Sequence, residues 1–422
     1  MRARPFRKLA AIILSGLTGA SAAAGCGGVD TSRVTAADVV PLDQAPLSDA
    51  APARVVGIGE ATHGNKEFVR TRLLVIQRLV RDHGFRTVAI EADFGGTAVA
   101  GDYVMGGEGS AEGAAKALGF DLYRTRETAD LIKWIHDHNA AADDRDKIRL
   151  YGFDMQRYDR NRERLLRYLA KVDPALRREA ETSLADLTDA TRTTQDPKKT
   201  AAAATAAGRL VATMRAGRER YVKASSAQSY APALHHAETI WRGARLQTSG
   251  NDYAAKRDAW MAGSIGWIAG TEAAQGRKKI IVAGHNGHID KSGAAFPFQS
   301  MGQRLAKTYG GGYFAIGTEF GRSTFISKDE DSGARKRFTV SHDAPVAKLF
   351  GGEPMGYVNL AQASADPGNR ELLTSKIRMG SVGDGFRSAY SSILWAYTVE
   401  MVPAKSYDAL IYVPEASPVT PL

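Results

Sequence analysis

Arg54-Val55-Val56-Gly57-Ile58-Gly59-Glu60-Ala61-Thr62-His63-Gly64 is the stretch that decides the fold. Its first half is a short β-branched and apolar run, the signature of a buried strand, and its second half is a polar turn. From Lys66 to His83 the apolar residues Phe68, Leu73, Val75, Ile76, Leu79 and Val80 recur at helical spacing, and a second strand-like run follows at Thr87-Val88-Ala89-Ile90-Glu91. Strand, helix and strand in that order make a β-α-β unit, whose two strands lie parallel.

Further along, Ile148-Arg149-Leu150-Tyr151-Gly152, Lys279-Ile280-Ile281-Val282-Ala283, Tyr313-Phe314-Ala315-Ile316-Gly317 and Ala409-Leu410-Ile411-Tyr412-Val413-Pro414 read as more strands of the same sheet, and Thr125 to Ala141 as another helix. Between about Asp159 and Ala274 the texture changes to Ala, Arg, Glu and Leu-rich stretches with few strand formers. This predicts three or four helices packed as a subdomain, with turns at Gln195-Asp196-Pro197 and at Thr248-Ser249-Gly250-Asn251-Asp252. The expected architecture is an α/β fold: a three-layer core with a mostly parallel central sheet, built from residues 53–158 and 276–422, plus an all-helical insertion over 159–275.

The amino terminus reads differently. Arg2 to Lys8 is basic, Leu9-Ala10-Ala11-Ile12-Ile13-Leu14 is apolar, and small residues lead to Ala24-Gly25-Cys26, the pattern of an export signal over residues 1–25. Cys26, the only cysteine, stands where a bacterial lipobox places its acylated residue; simple cleavage near Ala22-Ala23-Ala24, giving a secreted protein, is the alternative. The expectation is an exported lipoprotein facing outward, tethered by a flexible segment over 26–52 that is rich in Gly, Ser, Asp, Ala and Pro. The formal charge of +10 includes Arg2, Arg4, Arg7 and Lys8 of the leader, so ten less four leaves six for the mature chain. The remaining bases alternate with acids along helical stretches and form no basic stripe, which argues against nucleic acid as a partner.

In a parallel sheet reactive groups collect at the carboxyl ends of the strands. Three strand ends carry Gly59-Glu60-Ala61-Thr62-His63-Gly64, Glu91-Ala92-Asp93 and Gly284-His285-Asn286-Gly287-His288, two glutamates and three histidines among them. Any one of these alone is more often a hydrogen-bonded structural residue or a cap. Together they place imidazole beside carboxylate, and a histidine backed by a glutamate takes a proton from water near neutral pH. His83, His136, His138, His235, His236 and His342 are read as structural, the last in a polar loop. Gly57-Ile58-Gly59-Glu60-Ala61-Thr62 has threonine where a dinucleotide loop needs its third glycine, and no G-x-S-x-G occurs. The same five residues also suit a metal, since two or three histidines with a carboxylate satisfy zinc.

Gly59-Glu60-Ala61-Thr62-His63, Lys66-Glu67-Phe68, Arg72, Glu91 and His285-Asn286-Gly287-His288 resemble, in order and spacing, the erythromycin esterase-like family, and the resemblance runs from about residue 50 to the end. It implies an open cleft between the sheet and the helical subdomain, and hydrolysis of an ester or a macrolide lactone without cofactor or metal. The family's essential base falls on His63, its supporting glutamates on Glu60 and Glu91, its cleft arginine on Arg72 and its histidine pair on His285 and His288. On this reading His63 activates water and Glu60 or Glu91 orients it. The oxyanion is met by His285 or His288 and by Arg72, unless Arg72 only pairs a carboxylate. The rival readings are a metal-dependent hydrolase using the same residues and a non-enzymatic haem-binding lipoprotein of similar fold.

Overall fold

The computed structural model describes residues 30–422. The leader and Cys26, with the expectations attached to them, lie outside the described residues. Among the described residues there are twelve strands: β1 Val40–Pro41, β2 Val55–Glu60, β3 Thr87–Asp93, β4 Arg149–Asp154, β5 Ile280–His285, β6 Tyr313–Asp329, β7 Arg335–Ser341, β8 Gly356–Asn359, β9 Ile377–Gly380, β10 Gly385–Phe386, β11 Thr398–Met401 and β12 Ala409–Ala416. Ten of them form one sheet in the order β1-β8-β12-β6-β2-β5-β3-β4, with β7 and β10 joined to β6, while β9 and β11 pair separately. From β12 to β4 every neighbour is parallel; β1, β8 and β7 pair antiparallel.

The central strands are apolar on both faces because each face has its own core. Val56, Ile58, Val88, Ile90, Ile281 and Ala283 face one cluster, together with Val75, Ile76 and Leu79 of the helix Lys66–His83 and Leu131, Ile132 and Ile135 of the helix Arg126–Ala141. Val55, Ala89, Ile280 and Val282, one residue out of step, face a second cluster with Met261, Ile265 and Ile268 of the helix Tyr253–Ala273. A side-chain period of two therefore builds the three layers the sequence predicts.

Six helices, rather than three or four, span the predicted insertion: Asp159–Val172, Pro174–Ser183, Pro197–Ala216, Arg218–Ala224, Ala227–Gln247 and Tyr253–Ala273. The first five supply a core of their own, with Leu165, Leu169, Leu210, Met214, Tyr221 and Ile240. The sixth packs on the sheet, because its Met261, Ile265 and Ile268 belong to the second cluster. The strand read at Tyr313–Gly317 continues to Asp329, and its far half extends the sheet as a hairpin with β7 whose Phe325 and Phe338 pack with Phe386.

The segment 26–52 is not a flexible tether where it is described. From Asp30 onward it lies on the core: Val40 and Pro41 pair with Tyr357 and Gly356, Asp49 accepts hydrogen bonds from Tyr357 and Asn359 at 2.6 Å each, and Leu42, Ala45, Leu47 and Ala50 are buried. Composition misled because scattered apolar residues without periodicity still dock singly. Leu47, 1% exposed, gives the direct test: Leu47→Ala should cost about 2–5 kcal/mol, read as a lower urea midpoint, where a tether residue would cost nothing measurable.

Candidate active site

β5 runs between β2 and β3, so the ends of three parallel strands bring Glu60, His285 and Glu91 side by side. Glu60 and His285 are register partners, and the Glu91 Oε2 accepts the backbone N–H of His285 at 2.8 Å. Beyond β2 the chain turns through Gly64, whose φ of 87° requires glycine and where a Cβ would collide with the Ile326 carbonyl. Backbone bonds from His63 to Val382 and from Val382 to Ala61 hold this turn against the segment after β9. Thr318 fastens two strand ends: its hydroxyl accepts from the Ala61 N–H at 2.8 Å, and its backbone N–H and carbonyl pair with the Asn286 amide at 3.1 and 2.7 Å. Gly59 is needed where it stands, since a Cβ there would collide with the same amide.

The turn delivers His63 Nδ1 to Glu60 Oε1 at 2.7 Å, and the second oxygen of Glu60 pairs with Arg72 Nη2 at 2.9 Å. Arg72, from the helix Lys66–His83, thus lies behind Glu60 and does not line the cleft, while His63 does. Burial opposes charge on Glu60, but Arg72 and His63 outweigh it and hold the carboxyl below its ordinary range. Burial likewise opposes protonation of His63, yet Glu60, with smaller contributions from Glu91 and Asp384, raises its pKa.

Around Glu91 a second network forms. Its Oε1 accepts from Arg257 Nη2 at 2.7 Å and lies 3.3 Å from His288 Nε2. Arg257 also donates to Asp154 Oδ2, through Nη2 at 2.6 Å and Nε at 3.0 Å, and Asp258 Oδ1 lies 2.8 Å from His288 Nδ1. Although burial disfavours the imidazolium, Glu91 and Asp258 push the His288 pKa up to about 10. His285 goes the other way: burial, then the charges on His63 and His288, bring it down to about 3. Its Nδ1 accepts the Gly287 N–H at 3.2 Å, so the proton of this neutral ring sits on Nε2, a buried donor without a partner. The His63 and His285 rings are 4.9 Å apart, and both line a cleft of about 970 Å³ with Glu91, Asp154, Arg257 and His288.

All five strand-end residues are therefore brought together, and Arg72 joins them from behind. Arg257 and Asp258 were missed. Their signal was present, since Asp258, Met261, Ile265 and Ile268 share one buried face of a helix, where an unpaired carboxylate would be costly. His342 does lie in the loop after β7, between the exposed Ser341 and Asp343, but its ring turns inward to Glu319 at 3.1 Å and meets Phe320 edge-on. Among the described residues no three His, Cys, Asp or Glu side chains are grouped to hold an ion, and Arg257 pairs with both Glu91 and Asp154. No described helix is long and apolar enough to cross a membrane.

A family model described as erythromycin esterase matches residues 80–416. The erythromycin esterase type II of Escherichia coli is 28% identical over 300 residues, covering 63% of this chain and 68% of that one. Among solved structures a Bacillus cereus protein is similar with a TM-score of 0.78 at 23% identity, over 91% of this chain and 96% of that chain. The erythromycin esterase EreC, a histidine-to-asparagine mutant in its open conformation, is similar at 0.67 and 18%, over 92% and 98%.

The two networks make separable predictions for proton titrations followed by NMR. Each carboxylate stabilises the imidazolium beside it, so removing its charge must lower the histidine pKa: Glu60→Gln should lower that of His63, and Asp258→Asn should bring that of His288 down from about 10. An unchanged titration in either variant would show that the pair does not form.

Proposed function

The chain belongs to the erythromycin esterase family and is an ester hydrolase, and from that premise we propose that it cleaves an ester or macrolide-type lactone with a water activated by His63 and without a metal. The observation that carries the mechanism is the Glu60–His63 pair at 2.7 Å, which occupies Nδ1 and leaves Nε2 as the nitrogen available to the cleft. Nε2 takes a proton from water, and the water oxygen attacks the carbonyl carbon. Negative charge then develops on the carbonyl oxygen, and the Nε2–H of His285 is the donor for it, since that ring is neutral and its proton is unclaimed. Collapse of the tetrahedral intermediate breaks the bond to the alcohol oxygen, which recovers the proton from His63.

Glu60 fixes the tautomer and orientation of His63, and Arg72 fixes Glu60 in turn. Glu91 holds the His285 backbone and the Arg257–His288 pair, so it positions the donor side as Glu60 positions the base. His288, with a carboxylate near each nitrogen, is a positioning residue in this scheme. The substrate is a small molecule of the ester or lactone class. Export and acylation of Cys26, which would hold the enzyme on the outer face of a membrane, complete the proposal and are supported by the pattern of the leader.

The test is incubation with a panel of macrolides and simple lactones and mass spectrometry for the addition of one water. Product should form and persist after chelator treatment, and His63→Ala should lower kcat by about 100- to 10,000-fold with the fold intact. His285→Asn should lower kcat by about 100-fold or more. Retention of most of the rate by His63→Ala would remove it as the base, and loss of turnover with chelator would make the cluster a metal site.

Because only neutral His63 accepts a proton, activity should increase as pH rises through its pKa. That pKa lies above the ordinary 6.5, and Glu60→Gln should move this limb to lower pH in kcat/KM profiles. A limb that stays in place would assign it to another group.

A further inference from the structure

Five arginines line the cleft: Arg157, Arg192, Arg257, Arg335 and Arg387. Three are held by carboxylates, Arg257 by Glu91 and Asp154, Arg335 by Asp384 at 2.7 Å and Arg387 by Glu330 at 2.8 Å. Arg157 and Arg192 are not: among the described residues neither forms an ion pair, and the Nε of each is buried without a partner.

These two are brought to one place by the fold. Arg157 follows β4; its carbonyl accepts from the Asn161 amide at 3.1 Å and its guanidinium stacks over Phe120 at 5.0 Å. Its stem passes Gly119, where a Cβ would come within 3.1 Å of the Arg157 Cγ. Arg192 lies in the loop between the helices Pro174–Ser183 and Pro197–Ala216, and Asp189 of that loop accepts the Tyr158 N–H at 2.6 Å and donates its own N–H to Asp159 at 3.4 Å. The Arg192 loop is thus fastened to the residues next to Arg157. Tyr253, which lines the cleft with both arginines, donates to Gln156 at 2.6 Å, the residue before Arg157.

A guanidinium facing a cleft with its stem packed and its N–H edge uncommitted is arranged for a planar anion, which it meets through two parallel hydrogen bonds. We propose that Arg157 and Arg192 form the anion-binding wall of the cleft, and that the substrate carries a carboxylate or phosphate away from the bond that is cut. This rests on the ester-hydrolase reading for the word substrate, and it makes the helical insertion, which contributes Arg192, a determinant of specificity. A cationic group in the same position is repelled.

The experiment compares the p-nitrophenyl half-ester of suberic acid with its neutral carboxamide isostere, and measures binding of suberate alone by calorimetry, in the wild type and in Arg157→Ala, Arg157→Lys and Arg192→Ala. The wild type should favour the anionic ester at least tenfold in kcat/KM. That ratio should fall at least tenfold in either alanine variant and less in Arg157→Lys, and suberate binding should weaken in parallel. Hydrolysis of both esters at equal kcat/KM would overturn the anion wall and leave the esterase reading standing. Suberate binding that the alanine variants abolish, with neither ester nor any lactone hydrolysed, would sustain the wall and overturn the esterase reading. Binding that survives both alanine substitutions would place the anion elsewhere and overturn the wall. A methionine or leucine in place of either arginine is unnecessary, since circular dichroism of the three variants separates misfolding from loss of the site.

Discussion

Glu60 and Glu91 stand near the carboxyl ends of parallel strands on either side of β5 with 3% and 6% of their surface exposed, and two carboxylates so placed cannot remain charged alone. Each is answered by one arginine and one histidine: Arg72 and His63 for Glu60, Arg257 and His288 for Glu91. Asp154 and Asp258 extend the second group, sharing Arg257 and His288. The arginines come from helices on opposite faces of the sheet, Arg72 from Lys66–His83 and Arg257 from Tyr253–Ala273, so neutralising the strand ends also ties both outer layers to the site.

The balance of charge explains how three nearby imidazoles differ. Four carboxylates face two arginines, so the cluster is electrically even when two histidines are protonated, and those are the two in direct contact with carboxylates. His285 has no carboxylate against its ring and has charged rings on both sides, which hold its pKa down at about 3 and leave the ring neutral. When His63 is deprotonated the cluster carries one negative charge in excess, and in the proposed reaction the proton taken from water restores the balance. The basicity of His63 comes from the whole network, with Glu60 as its nearest member.

In the proposed scheme, chemistry and recognition are carried by different parts of the chain. Glu60, His63, Glu91 and His285 sit on strand ends and the turns directly after them, positions fixed by sheet register and by the Thr318 and Asn286 pairing. The walls of the cleft come from the hairpin of β6 and β7, from the segment after β9 and from the helical insertion. Loops of that kind change without disturbing the sheet, which is how one reaction centre is offered to different substrates.

Sequence alone determined the elements whose signal is local. Strands such as Val55–Glu60 and Thr87–Asp93 are continuous apolar runs, the helix Lys66–His83 is periodic, and Glu60, His63, Glu91, His285 and His288 stand at strand ends, where a parallel sheet must gather them. What it did not determine is pairing at long range. Asp258 shares the apolar face of its helix, a local signal, but the partners of Asp258 and Arg257 are decided only when that helix packs beside the strand ends, where Arg257 meets His288 and Glu91 from 31 and 166 residues away. The docking of residues 30–52 and the inward turn of His342 are decided in the same way, by a partner surface that exists only after folding. The assignment of protons among the three histidines is likewise a property of the assembled site, because it depends on which carboxylate lies within reach of which ring.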